Sequence, residues 1–443
     1  MINKKYLALF LAVVLLTGTL FLVSGCSSNG SQEQASETQE EKAASKDEKE
    51  ESGPVTIEVA TWADEAMLKM VDDFEKKYPN INVEIAKTAF ADHHKTLLTK
   101  IAAGADVPDV AFIEISYIGN FAAKGGFEDL TQEQYNAQQY EEDIVGYAYT
   151  HAKTRSGKLI ALPTDIAPAT VFYRKDHLNK IGYSRPDMKT MQDWIEAGKK
   201  FAKDTDGDGA NDRWLIADAS NIYNMYARSG ENRYFNEEGE CIVDSERFVE
   251  GFRMAQKVRE LGLDAGMAPW SNEWTAALKN GSVLMEPSGA WLGGHLKSWI
   301  APEAKGKWRS TELPNGMYAK NGGSYAGIPE AAEHKRAAWK FIEYYSTNKD
   351  IQVQNFKEAD TFPSWKPAFK DPIMDQPIEY LGGQKARQMW VDAAKKVPNV
   401  VTNPNDMIAE EIVASALSDV LENGKDPKQA LKEAKKLIER RAR

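Results

Sequence analysis

The chain has few residues that build metal centres or disulfides. Among its 443 residues are two cysteines, Cys26 and Cys241, and six histidines. If Cys26 carries lipid, as its surrounding sequence suggests below, Cys241 has no partner within the chain, which leaves neither a disulfide framework nor a CxxC zinc site. The HExxH, GxSxG and GxxxxGK[ST] motifs are also absent. These absences argue against a zinc protease, a serine hydrolase and a P-loop nucleotide hydrolase.

Basic residues are also fewer than acidic residues. The chain has 55 lysines and arginines against 66 acidic residues, which gives a net charge of −11. Nucleic-acid binding depends on neutralising phosphates with Lys and Arg. An acidic chain of this kind therefore predicts no nucleic-acid partner.

The N-terminus has the pattern of a secretory signal over residues 1–25. Lys4 and Lys5 precede an uncharged apolar run from Tyr6 to Val23. VSGC (Val23 to Cys26) resembles the lipobox of bacterial lipoproteins, and this resemblance implies that Cys26 becomes a lipidated N-terminus on the extracytoplasmic face of the cell membrane. Because the apolar run is long enough to span a bilayer, an uncleaved membrane anchor is the alternative.

The composition of residues 26–53 predicts a disordered tether that begins at the lipidated cysteine. The segment is rich in Ser, Glu, Lys, Gln and Ala and contains no aromatic residue. It cannot bury enough apolar surface to offset the entropy of ordering. A folded domain on this tether could therefore dock on a protein embedded in the membrane.

The rest of the chain alternates strand and helix patterns. VTIEVATW (Val55 to Trp62) and DVAFIEI (Asp109 to Ile115) predict strands, and apolar residues at helical spacing follow the first of them. Such alternation indicates βαβ units and a mostly parallel sheet. The length of about 390 residues favours roughly two domains.

Five segments in order carry a resemblance to a known family. They are FEKKYPNINVE (Phe74 to Glu84), PDVAFIEISYIGNFAAKGGFEDL (Pro108 to Leu130), GKLIALPTDIAPATVFYRKD (Gly157 to Asp176), MEPSGAW (Met285 to Trp291) and GGSYAGIPEAAEHKRAAWKFIEYY (Gly322 to Tyr345). Together they resemble the extracellular solute-binding proteins of ABC sugar importers, of the maltose- and oligosaccharide-binding type. The resemblance implies a monomeric binding protein without enzyme activity, a carbohydrate ligand and the permease subunits as membrane partners.

The same resemblance implies a two-lobed α/β fold of the periplasmic-binding-protein (Venus flytrap) kind. Each lobe would be a mostly parallel sheet flanked by helices, and hinge crossings would join the lobes around a cleft. The predicted N-terminal lobe comprises residues 54–163 and 307–329. The predicted C-terminal lobe comprises residues 164–306 and 330–443.

Strand ends indicate where a ligand would lie. Trp62, Glu114 and Asp165 stand at or just past the ends of predicted strands, where open α/β sheets bind ligands. Carboxylates can accept hydrogen bonds from sugar hydroxyls, and a flat aromatic ring can cover the apolar face of a sugar. The family resemblance adds Glu114 and Tyr117 as matching acidic and aromatic positions. The alternatives are a solvated carboxylate, ring packing at Tyr117 and a capped hinge turn at Asp165.

Aromatic residues in loop-like sequence are further candidates. Trp270 and Trp274 lie in PWSNEW, and Trp365 lies in FPSWK. Trp291 corresponds to a recurrent aromatic position of the family, and Tyr325 lies where family members bring backbone amides near the ligand. Packing in a core is the alternative for each of them.

A secreted carbohydrate-active enzyme anchored at the cell surface is the alternative function. Glycoside hydrolysis needs two carboxylates facing each other across a cleft. With 66 acidic residues, the sequence does not exclude such a pair. A panel of oligosaccharides that stay intact or are cleaved would separate the two functions.

The stretch DTDGDGANDRWL (Asp204 to Leu215) resembles an EF-hand calcium loop. Its oxygen ligands favour a structural Ca²⁺ of modest affinity, outside the cleft. Leu215 stands where an EF-hand carries a bidentate Glu, so the loop is at most half of an EF-hand, and a flexible acidic turn is the alternative. The predicted metal ligands are Asp204, Asp206, Asp208, Ala210 and Asp212.

Overall fold

The computed structural model describes residues 53–62, 66–209, 211–400 and 402–442. The predicted signal peptide, the predicted lipidation site Cys26, nearly all of the predicted tether and Ala210 lie outside these residues. Within the described part of the chain, no helix is both long enough and apolar enough to cross a membrane.

The described strands follow the sequence patterns closely at the start of the chain. In the first strand Ile57 and Val59 are buried and Glu58 is exposed, which is the alternation of a sheet with one covered face. The strands are β1 (Val55–Thr61), β2 (Ile81–Lys87), β3 (Val110–Glu114), β4 (Leu162–Arg174), β5 (Trp214–Ile216), β6 (Val283–Gly289), β7 (Trp308–Thr311) and β8 (Lys320–Gly327).

Helices connect and cover these strands. They are α1 (Ala66–Lys77), α2 (Phe90–Ala103), α3 (Ile115–Lys124), α4 (Gly146–His151), α5 (Lys175–Lys180), α6 (Met191–Phe201), α7 (Ser220–Arg228), α8 (Glu246–Glu260), α9 (Asn272–Asn280), α10 (Leu292–His295), α11 (Lys335–Thr347), α12 (Lys349–Ala359), α13 (Ala386–Lys396), α14 (Asp406–Asn423) and α15 (Pro427–Arg441). A π-helical segment, Leu296–Ile300, continues α10. Short 3₁₀ turns are Ala137–Tyr140, Arg185–Asp187, Pro302–Ala304, Pro314–Gly316, Lys366–Lys370, Pro372–Asp375 and Glu379–Leu381.

The strands pair in the order β2, β1, β3, β8, β4, β6, β5, and β7 also pairs with β4. β1 pairs in parallel with β2 and β3, and β5 pairs in parallel with β6. The pairs of β8 with β3 and of β4 with β6, β7 and β8 are antiparallel. The predicted α/β class is confirmed, but the sheet is mixed rather than mostly parallel. Antiparallel pairing between strands this distant in sequence leaves no local pattern from which to predict it.

β4 and β8 connect the two halves of the sheet. Residues 162–168 of β4 pair with β8, whereas residues 169–174 pair with β6 and β7. The pairing of β4 with β8 contains two register shifts, and such irregularities bend a strand and change the direction of its side chains. The family resemblance implies a first hinge crossing near Pro163 to Ile166, and these residues lie within this strand.

Buried apolar side chains form two clusters. The first contains Ile57 of β1 and Phe112 of β3, and it continues past the crossing to Trp308 of β7. The second contains Trp194 and Leu215, beyond the crossing. The first cluster therefore connects the two halves of the sheet, and the second belongs to the half that contains β5 and β6.

Packing differs from the predicted lobe boundaries at two segments. α11 and α12 are predicted in the C-terminal lobe, but the Phe341 ring lies 5.2 Å from that of Phe74 in α1, and the His334 N–H donates to Asp109 at 2.8 Å. β7 is predicted in the N-terminal lobe, yet it pairs with the far end of β4. The boundaries follow chain crossings, whereas the packing after each crossing depends on long-range contacts that the sequence does not reveal.

Candidate functional site

Glu114 lies at the carboxyl end of β3 and caps the N-terminus of α3. Its Oε2 accepts hydrogen bonds from the Ser116 backbone N–H at 2.8 Å and from the Ser116 hydroxyl. Burial raises the pKa of Glu114, while the Ser116 hydrogen bonds and the charges of Arg228 and Arg233 act in the opposite direction. The cap therefore fixes a carboxylate at the strand end that the sequence predicted.

Aromatic rings surround this carboxylate. The Glu114 N–H donates to His94 Nε2 at 3.0 Å, so the His94 proton lies on Nδ1, which donates to the Phe90 carbonyl at 2.9 Å. Burial lowers the pKa of His94 to about 4, which keeps the ring neutral at pH 7. The Tyr117 ring stacks on His94 with centroids 3.9 Å apart, and the Trp62 centroid lies 4.8 Å from that of His94. We call this group the N face: Trp62, Phe90, His94, Glu114 and Tyr117.

The structure thus brings together three residues that the sequence singled out, Trp62, Glu114 and Tyr117. Sequence reasoning missed Phe90, which is 43% exposed, and His94. Their spacing of four residues places both on one side of α2. That spacing, next to a tryptophan at a strand end, is the signal that could have identified them.

Asp165 lies in β4 opposite Ser324 of β8, at the crossing between the two halves of the sheet. The Thr164 hydroxyl donates to its Oδ2 at 3.4 Å. Burial raises the pKa of Asp165 to about 6, and the negative charge of Glu114 adds to this increase while Ser324 opposes it. Asp165 and Glu114 therefore belong to one electrostatic environment.

A second aromatic group lies beyond the hinge strand β8. The Trp270 and Trp291 rings are stacked, with centroids 5.4 Å apart and an interplanar angle of 18°. The His295 ring meets Trp270 and Trp291 edge-on, at 5.3 and 5.7 Å. Trp299 Nε1 donates to His295 Nδ1 at 2.9 Å. We call this group the C face: Trp270, Trp291, His295 and Trp299.

The backbone of the C face has an unusual conformation at Trp270. Trp270 is 53% exposed and has a φ of +70°. A bulky residue in the left-handed region is strained, and such residues cluster at ligand sites. Trp291 Nε1 donates to the Asn321 carbonyl at 2.7 Å, which fixes its ring plane. A Cβ on Gly289 would lie 2.4 Å from that carbonyl oxygen and 2.2 Å from Trp291 Nε1, so only glycine fits there.

Charged residues join the two faces. Arg228, at the end of α7, donates to the side chain of Asn321, whose carbonyl binds Trp291. Arg233 donates to Glu410 at 2.5 Å, and both arginines act electrostatically on Glu114. Sequence reasoning missed these arginines, because Arg233 and Glu410 are 177 residues apart.

A buried amine lies beside these charges. Lys320 Nζ lies 3.0 Å from His151 Nδ1. Burial, with the charge of Arg233, lowers the pKa of Lys320 to about 7. Carboxylates, arginines and this amine supply both acceptors and donors, and the indoles supply flat apolar faces. That combination suits a ligand with many hydroxyl groups on an apolar ring.

Comparison with known proteins decides the family. The model of the bacterial extracellular solute-binding proteins matches residues 60–352, about two thirds of the chain. The chain belongs to this family. Members of the family are binding proteins that act outside the cytoplasm, so both faces belong to a solute-binding protein.

Named relatives of this solute-binding protein cover most of its length. A lactose-binding protein of Rhizobium radiobacter is 27% identical over 353 residues, 75% of this chain and 80% of the relative. An arabinooligosaccharide-binding protein of Bacillus subtilis (strain 168) is 22% identical over 97% of this chain and 98% of its own. The solved structure of an ABC transporter associated binding protein from B. animalis subsp. lactis Bl-04, in complex with β-1,6-galactobiose, matches with a TM-score of 0.73 and 24% identity, covering 88% of this chain and 98% of the other.

Trp274 of the solute-binding protein does not lie in a loop, as the sequence suggested. Ser271 caps α9 through its hydroxyl, which accepts from the Trp274 N–H at 3.1 Å, so the residue lies in the first turn of a helix. Trp274 is 2% exposed and contacts Trp270 at 5.3 Å. Trp274 therefore packs behind Trp270 of the C face, and almost none of its surface is accessible to a ligand.

Glu286 is a second buried group in this supporting layer. Its Oε1 accepts from Asn221 Nδ2 at 3.2 Å, and the whole residue is 2% exposed. Burial raises the pKa of Glu286 to about 8, and the negative charge of Asp218 adds to that, while the neighbouring Trp274 acts against it. The side chain is therefore largely a neutral acid at pH 7.

Two other predicted contacts lie inside the first core. Tyr325 is 1% exposed, and its ring lies 6.4 Å from that of His151. Trp365 is 8% exposed, and its ring meets Tyr140 at 5.8 Å. Both positions correspond to the packing alternative in this conformation of the solute-binding protein. Loop-like sequence around Trp365 concealed the fact that its backbone pairs with Ile144.

The acidic loop of the solute-binding protein gathers three of its predicted metal ligands. Carboxylate oxygens of Asp204, Asp206 and Asp208 lie within 4.8 Å of one another, and all three residues are exposed. Asp212 is not part of this group. It accepts hydrogen bonds from the Thr205 N–H at 2.7 Å and hydroxyl at 2.5 Å instead. Leu215, which occupies the loop position where an EF-hand carries a bidentate Glu, is fully buried in β5.

Proposed function

We propose that this solute-binding protein captures an oligosaccharide between the N face and the C face and delivers it to the permease of an ABC importer. The observation that carries the proposal is the stack of the exposed Trp270 on Trp291, which Asn321 and Arg228 connect to the carboxylate of Glu114. Indoles cover the apolar face of a sugar ring, while carboxylates accept from its hydroxyls. The named relatives that bind lactose, arabinooligosaccharides and β-1,6-galactobiose support this ligand class.

Polar groups in such a site also provide selectivity. A buried acceptor or donor that a ligand leaves unpaired costs free energy, so the site rejects sugars whose hydroxyls do not match. Glu114, Asp165 and Arg228 are the groups that would make this selection. The protein would release its ligand unchanged, and the proposal includes no catalytic role for either carboxylate.

Thermal unfolding with a panel of sugars tests this function. The mature domain is heated with arabinooligosaccharides, maltooligosaccharides, β-1,6-galactooligosaccharides and lactose, with amino acids and nucleotides as control ligands. We expect at least one oligosaccharide series to raise Tm and to be recovered intact by chromatography. Shorter sugars in the recovered sample would indicate a glycosidase and would contradict the proposal.

Two variants localise the binding. In the double variant Glu114→Gln, Trp270→Ala the ligand-induced increase in Tm should disappear. The control Leu261→Ala truncates another exposed apolar side chain, at the end of α8 and outside both faces. Its ligand-induced increase should match that of the wild type. A double variant that keeps the full increase would place the ligand elsewhere.

We also propose that lipid on Cys26 attaches the protein to the outer face of the cell membrane. The support is the VSGC sequence after an apolar run of signal-peptide type. Two acyl chains give a stable anchor, whereas one chain is marginal. Mass spectrometry of the mature N-terminus should show a lipidated cysteine. Cys26→Ala should release the protein into the medium, and a wild-type protein already free in the medium would contradict the anchor.

The acidic loop is proposed as a structural calcium site. Oxygen ligands from Asp204, Asp206 and Asp208 suit Ca²⁺, and their convergence supports the proposal. The site follows α6 and precedes β5, in a different part of the chain from the two faces. It would stabilise this segment without contacting the sugar.

A further inference from the structure

We propose that Trp299 forms an outer sugar-binding position, which extends the C face beyond the stacked pair of Trp270 and Trp291. The position would take another ring of the same oligosaccharide. This inference rests on the proposed function, since it assigns a second contact to the same ligand.

Continuity of the aromatic surface is the first argument. The His295 ring lies 5.3 Å from Trp270 and 5.9 Å from Trp299, with both pairs close to perpendicular. The two indole centroids therefore lie no further apart than the sum of these distances. Because Trp299 Nε1 donates to His295 Nδ1 at 2.9 Å, the outer indole is also held in a fixed orientation.

Exposure is the second argument. All eleven tryptophans of the sequence lie within the described residues, and only Trp270 and Trp299 expose more than a third of their surface, 53% and 52%. Exposed indoles are uncommon, because burying an aromatic ring removes a large apolar area from water. That both exposed indoles contact one histidine indicates a single continuous binding surface.

The backbone under Trp299 is the third argument. The residue lies in the π-helical segment Leu296–Ile300, which continues α10. Single π turns are rare in helices and occur often at functional sites. Lys297, on the same segment, pairs with Asp360 at 2.8 Å, which ties the segment to the end of α12. The outer indole is therefore presented by a fixed segment of unusual geometry.

A sugar chain is the occupant that fits these observations. The surface runs from a stacked indole pair with a polar site beside it to a lone indole with a fixed plane. An extended chain of similar rings would meet successive indoles along its length. The permease is the alternative occupant of this position. If Trp299 contacts the permease instead of the sugar, Trp299→Ala should leave the sugar affinity unchanged.

Calorimetric titration with sugars of increasing length tests the outer position. Arabino-, malto- and β-1,6-galactooligosaccharides of two to six units are titrated into the mature wild-type domain and the variants Trp299→Ala and Trp299→Phe. We expect Trp299→Ala to weaken binding of the longest sugars of the bound series about tenfold and to leave the shortest unchanged. Trp299→Phe should restore most of the loss, since it keeps a flat ring. Leu261→Ala serves as the control for loss of an exposed apolar group.

The outcomes separate this inference from the function on which it rests. Equal affinity of Trp299→Ala and wild type at every length, with binding lost in Trp270→Ala, would overturn the outer position and leave the proposed function intact. An equal loss at every length would also overturn it, because Trp299 would then act through the inner site. If no series binds the wild type, the proposed function fails and the outer position fails with it.

Discussion

The N face and the C face both contain aromatic rings, but they present them differently. On the N face His94 bonds to backbone groups on both sides, and Tyr117 stacks on it, so the rings mainly hold Glu114 in place. On the C face Trp270 and Trp299 expose about half of their surface. The difference teaches that aromatic content alone does not identify a stacking platform; exposure and a fixed ring plane do. We infer that the C face supplies affinity and the N face supplies selectivity.

Removing the central indole of the C face should have the largest effect. Trp270→Ala is expected to weaken oligosaccharide binding about 100-fold, which corresponds to about 2.7 kcal/mol. The reason is the loss of the exposed member of the stacked pair, and Tm without ligand should change little because the side chain is half exposed. Titration calorimetry measures the effect. Unchanged affinity would show that the C face is not the platform.

Changing the polar group of the N face should have a smaller but more selective effect. Glu114→Gln is expected to weaken binding of the best ligand about tenfold, because the amide keeps only one acceptor oxygen of the carboxylate's two and carries no negative charge. The loss should vary among sugars that differ in one hydroxyl, whereas for Trp270→Ala it should be similar for all. Glu58→Gln, an exposed acid on β1, is the control. A uniform loss in both variants would remove the distinction between the faces.

The acid beneath the C face should affect stability and its pH dependence. The pKa of Glu286 is raised to about 8 from 4.5, so its contribution to stability is complete below pH 4.5 and is lost as the pH rises through 8. The Glu286→Gln side chain cannot ionise, so the stability of the variant relative to wild type should rise by about 1.4 kcal/mol for each pH unit between pH 5 and 8. Thermal unfolding at several pH values measures this difference. A difference that stays constant across this range would contradict the raised pKa.

Calcium should have the smallest effect and should leave both faces unchanged. Chelation is expected to lower Tm by about 1–2 °C, as for a site of about 10⁻⁴ to 10⁻³ M affinity at millimolar Ca²⁺. Sugar affinity should stay the same, since the loop lies apart from both faces. Asp206→Asn, Asp208→Asn should abolish the dependence on chelator. An unchanged Tm in the wild type would show that the loop is an acidic turn without metal.

Local patterns singled out three of the five residues of the N face and two of the four residues of the C face. Trp62 and Glu114 follow strands, and the rule that ligands bind at carboxyl ends of strands led directly to them. The prediction that Trp274 lies in a loop was wrong, because its helix begins only two residues earlier, after a serine cap. The sequence patterns did not single out Trp299, and only the fold shows that its ring contacts His295 and is exposed to solvent.

Long-range features of the site could not be predicted. The pairing of Arg233 with Glu410 and the approach of Arg228 to Asn321 join residues 177 and 93 positions apart. The same holds for the sheet, whose parallel strands were predicted from βαβ order, while the antiparallel pairs of β4 and β8 depend on the tertiary fold.

Titration calorimetry of the wild-type protein with the oligosaccharide panel tests the central claim most directly. The account predicts saturable binding of one sugar per protein, with a negative heat-capacity change from burial of the indole faces and recovery of the sugar at its original length. Absence of binding to every sugar of the panel, or recovery of shortened sugars, would contradict it.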